Sequence, residues 1–422
     1  IRRSNLQRYW TWWLITKLNE TQLENIKQIL TLRYSTNLGD SSKKILPEDF
    51  KEIRYNELES TIENQIRDSI RNKIGDDLDK VGISLSSGID STLVLALLRK
   101  EFPSIKIESL SVKFSQSIDE TDASKKISEK FDTNHHVLEL DNFLEELPQA
   151  INIVKQPFWD LHWYYLVKKM KELTPVFLSG DGGDELFGGY TFRYRKFLEQ
   201  IKSYDDKSTV EEKIILYLNC HERDWVPDQE LIFGDKCKFN WEEIYNVLRP
   251  HFNNSLSNLN QVLLADYNGK LLHNMQPLYS LIHKHFGVTN ITPIQNNETI
   301  KLSCKLTASK KYIFSKNTGK IPLVNLIEKY QLTNLISKKK QGFSVNTVNM
   351  WNSYAQKIFL NYFDKSRLIE DKILNSDWIQ KYSIKSNLDV RYINKLLGIL
   401  ALEIWYRLFI TKDLNPNEKL TI

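Results

Sequence analysis

The sequence predicts an α/β fold, a doubly wound and mostly parallel sheet continued by a largely α-helical C-terminal extension. Three observations predict it. Between about residues 81 and 200, apolar runs of strand length alternate with helical stretches of ten or more residues. That order requires crossover connections and a sheet covered on both faces. Two of the runs lead straight into Gly-rich loops, and beyond residue 200 the strand signal gives way to Lys, Asn, Leu and aromatic residues at helical spacing.

Each element follows from local pattern. Leu58, Ile62, Ile66, Ile70 and Ile74 recur at every fourth position, one apolar stripe of an amphipathic helix that ends near Gly75. A strand is expected over 81–85, a small-residue loop over 86–90 and an apolar helix over 91–102, stopped by Pro103. The alternation repeats as strand 105–114, helix 119–131, strand 136–140 and helix 141–154. A helix from about Asp160 precedes strand 175–178, a second Gly-rich loop and a helix from about Tyr190. The organisation expected is an N-terminal segment or linker over 1–54, the α/β domain over 55–200 and a mainly helical part over 201–422. In such sheets ligands bind beyond the carboxyl ends of the strands, where both loops fall.

Composition narrows the classes. With 11% aromatics, 15 Gly and 11 Pro in 422 residues, the chain is a packed globular protein and not a disordered or collagen-like one. The 58 basic and 53 acidic residues leave a charge of +5, too slight for a nucleic-acid footprint, so no nucleic-acid partner is expected. Cys220, Cys237 and Cys304 are odd in number and widely spaced, which fits neither a disulfide framework nor a paired-cysteine zinc site. A reducing, cytoplasmic location is expected, and no membrane association, since no apolar run reaches the roughly 20 residues of a spanning helix. The chain opens at Ile1, and the expectation is that an upstream segment precedes it.

The first loop, Ser86-Ser87-Gly88-Ile89-Asp90-Ser91, has small side chains that let backbone N–H groups surround an anion at a helix N-terminus. No lysine follows its glycine, so it is not the kinase or GTPase type of phosphate loop. The alternative is a plain turn in which Asp90 or Ser91 caps the helix. The second loop, residues 179–190, packs five glycines and three carboxylates into twelve residues. Glycines that dense lose much backbone entropy on folding, which implies close approach or positive φ. Asp181, Asp184 and Glu185 repel one another unless a divalent cation or a cationic partner joins them, the alternative being solvation. His135 and His136 have no third ligand at metal spacing, which disfavours zinc, and Phe158, Trp159, Trp163, Tyr164 and Tyr165 read as core or pocket wall.

The strings SLSSGIDS and LSGDGGDELFGGY resemble the synthetase domain of the asparagine synthetase family, an ATP-pyrophosphatase fold of the adenine nucleotide alpha hydrolase-like type. The residues from Ser117 to Asp122, those from Thr133 to His136, and Arg8-Tyr9-Trp10 resemble further family segments. The resemblance implies an enzyme that adenylates a carboxylate with ATP and Mg²⁺, releases pyrophosphate, and passes the acyl group to ammonia or an amine. On that implication Leu85 and Val112 hold adenine, Ser86, Gly88, Asp90 and Ser91 surround the pyrophosphate, and Ser179 and Gly180 line the nucleotide pocket. Asp90 and Asp184 hold Mg²⁺, and Asp181 positions or deprotonates the amine. Lys340, in a segment resembling the family's KxxF, stabilises charge at the α-phosphate, with Lys338 and Lys339 as competing positions and a solvated basic run as the alternative.

The chain also departs from the family pattern. Ser87 stands where the family has a second glycine, and the arginine and acids expected between about 265 and 300 are replaced by Asn274-Met275-Gln276-Pro277 and Thr292-Pro293-Ile294-Gln295. None of the cysteines is N-terminal, so nitrogen would come from free ammonia, an amine, or an upstream or separate glutaminase. Four readings follow: an asparagine synthetase type enzyme, a diverged amide, lactam or peptide-cyclising synthetase, a nucleotide-binding pseudoenzyme, and a tRNA-thiolating relative. The last is disfavoured because paired cysteines and a basic face are missing. Oligomer formation stays open.

Overall fold

The computed structural model describes residues 18–38, 44–75, 78–115, 117, 119, 121–202, 208–337 and 345–422. Its main sheet contains β1 (Lys80–Ser84), β2 (Lys106–Phe114), β3 (Asn134–Leu140), β4 (Val176–Leu178) and β5 (Thr289–Ile291). All pair in parallel, in the order β3-β2-β1-β4-β5. The doubly wound parallel sheet expected from the alternation is therefore present. Its fifth strand comes from the stretch expected to be mainly helical: three residues between helices give too short a run for period-2 patterning to register.

The strand order places β1 beside β4, although two strands separate them in sequence. Successive connections leave β1 toward β2 on one side and reach β4 on the other, so a crevice opens above the carboxyl ends of β1 and β4. Each Gly-rich loop grows out of one of these two strands. The topology thus brings together segments about ninety residues apart, by the general rule for open α/β sheets.

Helices cover both faces. On one, α1 (Glu20–Leu32) contributes Ile26 and Leu30 to the core, while α2 (Leu58–Lys73) and α3 (Ile89–Glu101) cover the other and pack on each other. The predicted stripe is the inner surface of α2: Ile62, Ile66 and Ile70 are fully buried against Val81, Ile83, Leu93 and Leu97. Burial of each such side chain contributes about 1.5–3 kcal/mol. α4 (Thr121–Lys130) follows β2, and α5 (His162–Leu173) crosses the opposite face, where Trp163, Val167 and Met170 pack with Leu110 and Phe177. The second loop opens into the short α6 (Gly183–Phe187).

Later in the chain, α7 (Gln276–Phe286) packs on α5, α8 (Ile321–Lys329) packs on α2 and α3, and α9 (Val390–Phe409) is a long buried helix against α1. Glu63 of α2 ties three helices: it accepts hydrogen bonds from Lys100 Nζ (2.7 Å), Lys329 Nζ (2.7 Å) and the Tyr330 hydroxyl (2.6 Å). Burial alone would raise its carboxyl, but these donors more than offset that and hold it at about 2. The three cysteines are buried and free, their thiols pushed up by burial to about 12, 12 and 11 for Cys220, Cys237 and Cys304. Among the described residues no helix is long and apolar enough to cross a membrane.

Candidate functional site

The first loop is a tight small-residue turn. Ser91 Oγ donates to the Ser86 carbonyl (3.0 Å) and accepts from the Ser86 N–H (3.2 Å), while Gly88 N–H donates to Ser86 Oγ (3.2 Å). It delivers Asp90 into the first turn of α3. Opposite, Gly182 adopts φ 96° and starts α6, which carries Asp184 and Glu185. The two loops touch closely enough that a Cβ on Gly183 would sit 2.2 Å from Asp90 Oδ1. A Cβ on Gly189 would sit 1.9 Å from Asp184 Oδ1 and 2.2 Å from Lys320 Cε. The glycines are there to admit carboxylates and a cation, which is the close approach their density implied.

The cation is Lys320. Its Nζ lies 2.5 Å from Asp90 Oδ2 and 2.6 Å from Asp184 Oδ1, in a pocket that leaves its side chain 6% exposed. Burial opposes its charge, yet the two carboxylates prevail and raise its pKa above the ordinary lysine value. Lys320 immediately precedes α8 with φ 56°, a left-handed conformation that costs a non-glycine residue about 1–2 kcal/mol. Its backbone N–H is held by the Phe187 carbonyl at 2.8 Å, so the strain is fixed by α6 itself.

Below this triad a cavity of about 710 Å³ extends between the loops and helices α1, α5, α7 and α9. Ser86, Asp90, Ser91, Gly180, Asp181 and Asp184 line its nucleotide-loop end. The far end is aromatic and charged, with Phe158, Trp159, Trp163 and Tyr279 beside Arg33, Asp160, His162, Asp224, Lys270 and Lys395. Asp181 accepts a hydrogen bond from Ser179 Oγ (2.8 Å) and lies at the wall of a second cavity of about 1220 Å³ as well; burial raises its carboxyl. Burial also lowers the ammonium groups of Lys270 and Lys395, to about 8 and about 7. Arg33 reaches both Asp160 (3.9 Å) and Asp224 (3.8 Å).

The carboxylate pair fits a divalent cation. Two hard oxygen donors face one another from separate loops across a single positive group, and Mg²⁺ usually takes one or two carboxylates and completes its shell with phosphate and water. No cluster of three or more His, Cys, Asp or Glu suited to a metal occurs among the described residues.

A sequence-family profile described as Asparagine synthase matches residues 61–407, which takes in both loops, Lys320 and most of the cavity wall. The chain belongs to the asparagine synthase family. It is 24% identical over 410 residues to asparagine synthetase [glutamine-hydrolyzing] 1 of Bacillus subtilis (strain 168), covering 88% of this chain and 63% of that protein. The chain therefore spans less than two thirds of that relative's length. Among solved structures it is similar to NMN synthetase from Francisella tularensis (18% identity, 33% of this chain and 59% of that one, TM-score 0.24). It is also similar to the U34-tRNA thiolase NcsA from Methanococcus maripaludis with its [4Fe-4S] cluster (15% identity, 55% and 80%, TM-score 0.27).

Of the residues singled out in the sequence, the structure brings Ser86, Asp90, Ser91, Gly180, Asp181 and Asp184 to one cavity wall. Gly88 and Ser179 support that wall through hydrogen bonds without lining it. Leu85 and Val112 also lie off it; the Leu85 N–H already donates to Leu110 O (2.9 Å), and its carbonyl accepts from Ser111 Oγ (2.6 Å). Ser87 is buried away from the cavity. Lys340, with Lys338 and Lys339, lies outside the described residues, as does the opening Arg8-Tyr9-Trp10. His135 and His136 bond to Ser109 (2.9 Å) and Glu108 (2.7 Å), away from the cavity. The aromatic cluster divides into cavity wall (Phe158, Trp159, Trp163) and core (Tyr164, Tyr165).

Sequence reading missed Lys320 and the charged far end. Gly319-Lys320-Ile321 carries no local signature, and the partner Asp90 is 230 positions away. The diverged segment is also explained: Gln276 donates to Gln295 Oε1 (2.7 Å), and Gln295 packs on Gly182, so uncharged residues back the second loop.

Proposed function

We propose that the chain is an ATP-dependent, AMP-forming amide synthetase: it adenylates a carboxylate, releases pyrophosphate and transfers the acyl group to ammonia or an amine. The observation that carries this reading is the Asp90–Lys320–Asp184 triad, set between two loops at the switch point of the sheet and opening into a cavity large enough for a second substrate. Family membership supports the same class of chemistry.

In this reading the triphosphate lies along residues 86–91, with its anionic oxygens at the N-terminus of α3. A substrate carboxylate oxygen attacks the α-phosphorus, the bond from α-phosphorus to the bridging oxygen breaks, and pyrophosphate leaves with the electron pair. Lys320 stabilises the charge that grows on the leaving group, in a water-poor site where such a cation acts strongly. Asp90 and Asp184 would hold Mg²⁺, which when bound neutralises phosphate charge. Lys340 keeps its assignment beside the α-phosphate. The amine nitrogen then attacks the acyl carbon, Asp181 positions it, and AMP departs.

A second reading concerns the acyl substrate. The aromatic wall of Phe158, Trp159, Trp163 and Tyr279, combined with Asn274 and Met275 of the diverged segment at the same cavity, favours an acid with an apolar part over aspartate. That points to a diverged amide, lactam or peptide-cyclising synthetase. Exchange of labelled pyrophosphate into ATP, run with aspartate, glutamate and larger acids, separates the readings. Exchange with aspartate alone supports asparagine synthesis, exchange with a larger acid supports the diverged enzyme, and ATP binding without exchange under any acid leaves a nucleotide-binding pseudoenzyme. Asp184→Asn should abolish exchange; unchanged exchange would remove Asp184 from the metal site.

A further inference from the structure

Amide formation from an ammonium or alkylammonium substrate requires two protons to leave nitrogen, one before attack to expose the lone pair and one after it, and an acceptor for the first must face the acyl carbon. Several groups at the cavity wall are already committed. Asp90 and Asp184 hold Lys320, Glu185 accepts from the Tyr190 hydroxyl (2.5 Å), and Asp224 faces Arg33. Asp181 is a carboxylate tied to Ser179, and a carboxylate is a poor match for an ammonium proton. Among the described residues that line the cavity, His162 is the sole imidazole.

We infer that Asp160 and His162 form the proton-accepting dyad of the amide-forming step, with His162 Nε2 as the acceptor and Asp160 as its positioning residue. The inference rests on the synthetase reading above. His162 Nδ1 lies 2.7 Å from Asp160 Oδ1; a carboxylate accepts only, so Nδ1 carries the hydrogen and Nε2 carries the lone pair. Nε2 faces the Tyr279 hydroxyl at 3.4 Å, a contact long enough for an incoming amine to displace. The ring is held edge-on between Trp163 and Tyr279, with centroids 6.4 and 6.3 Å away. Its placement follows from the fold: His162 is the first residue of α5, the helix that feeds β4, and β4 feeds the second loop.

The charges facing the imidazole are Asp160, Asp181 and Arg33, with the neutral Tyr279 hydroxyl. Burial disfavours the imidazolium, but the two carboxylates outweigh both burial and Arg33 and raise its pKa. Burial pushes Asp160 up, yet His162, Arg33 and Lys270 hold its carboxyl at about 2, so it stays ionised through the cycle. The step balances. One ammonium proton passes to Nε2 and exposes the nitrogen lone pair, the lone pair forms the N–C bond, the C–O bond to AMP breaks with its electron pair leaving on the phosphate oxygen, and the second nitrogen proton passes to that phosphate or to solvent. The imidazolium then returns its proton to solvent.

The test uses the full chain with the acid that supports pyrophosphate exchange, and ammonium chloride and hydroxylamine as amine probes. Ammonia is almost wholly protonated at neutral pH, whereas hydroxylamine is largely free base. His162→Gln should lose ammonia-dependent amide formation by about 10²–10⁴-fold and hydroxamate formation by a far smaller factor, because hydroxylamine arrives without the proton that Nε2 removes. Asp160→Asn should lower the imidazole pKa and move the acidic limb of the ammonia-dependent pH profile to lower pH, with a smaller loss of rate. Unchanged ammonia-dependent rates in His162→Gln, or an equal loss with both amines, would overturn the dyad; a denaturant-unfolding midpoint close to that of the wild type certifies that the variant is folded. If the wild-type chain exchanges with none of the acids, the synthetase reading fails, and the dyad fails with it.

Discussion

Two clusters of charge, built from the same kinds of side chain, sit at opposite ends of α3, one around Lys100 and the other around Asp90. Around Glu63, one carboxylate meets two lysines and a tyrosine, and the lysines are about half exposed, with side chains 43% and 51% accessible. Around Lys320, two carboxylates meet one lysine, all within a glycine-bordered crevice. The first has more donors than its carboxylate needs and closes three helices on each other. The second faces a cavity and keeps its lysine buried and in a strained backbone conformation. The difference separates a structural tie from a candidate site: one holds helices together at the surface, the other holds charge inside a crevice at a cost in backbone strain.

That contrast can be broken at four strengths. Lys320→Met should cut pyrophosphate exchange by about 10²–10³-fold, as loss of a buried electrostatic donor does. It should also destabilise the fold by about 3–5 kcal/mol in denaturant unfolding, because a buried ammonium is removed from between two carboxylates. Gly189→Ala places a methyl group against Asp184 and Lys320; exchange should be lost, with a cost of about 1–3 kcal/mol from overpacking. Glu63→Gln should cost about 1–3 kcal/mol and leave exchange intact.

The acid behaviour of Glu63 sharpens the last of these. Its folded pKa is depressed, so its contribution is present above the usual carboxylate range and is lost as pH falls from about 4.5 toward about 2. Unfolding of wild type and Glu63→Gln across that window should converge at the acidic end. Smallest of all, Gly75→Ala, at a position with nothing within 4 Å and no positive φ, should raise stability by about 0.4–1 kcal/mol without touching exchange.

Much of the fold was legible because its signals are local. The four-residue stripe of α2 becomes a fully buried face, and the runs leading into 86–91 and 179–190 become the adjacent strands β1 and β4. The Gly-rich loops were legible as a site because glycine density and carboxylate crowding are unfavourable without a ligand. What stayed hidden is long-range. Lys320 acquires its meaning only from Asp90 and Asp184, β5 only from its pairing with β4, and His162 only from an aspartate two residues earlier that happens to face the same cavity. No periodicity or motif marks such residues before the chain is folded.

The cavity wall has one further consequence, for assembly. Lys395 of α9 donates to the carbonyl of Leu30 in α1, 365 positions earlier, and to the carbonyl of Asp224. The cavity is thus closed by a contact between elements 365 positions apart in sequence. A ribosome that has released only the sheet and its two loops has made a phosphate cradle with no chamber behind it. Contacts of such sequence separation carry the largest loop-closure cost and form late. On the proposed reading, the chamber for the second substrate is therefore completed after the two loops exist, at the moment α9 docks.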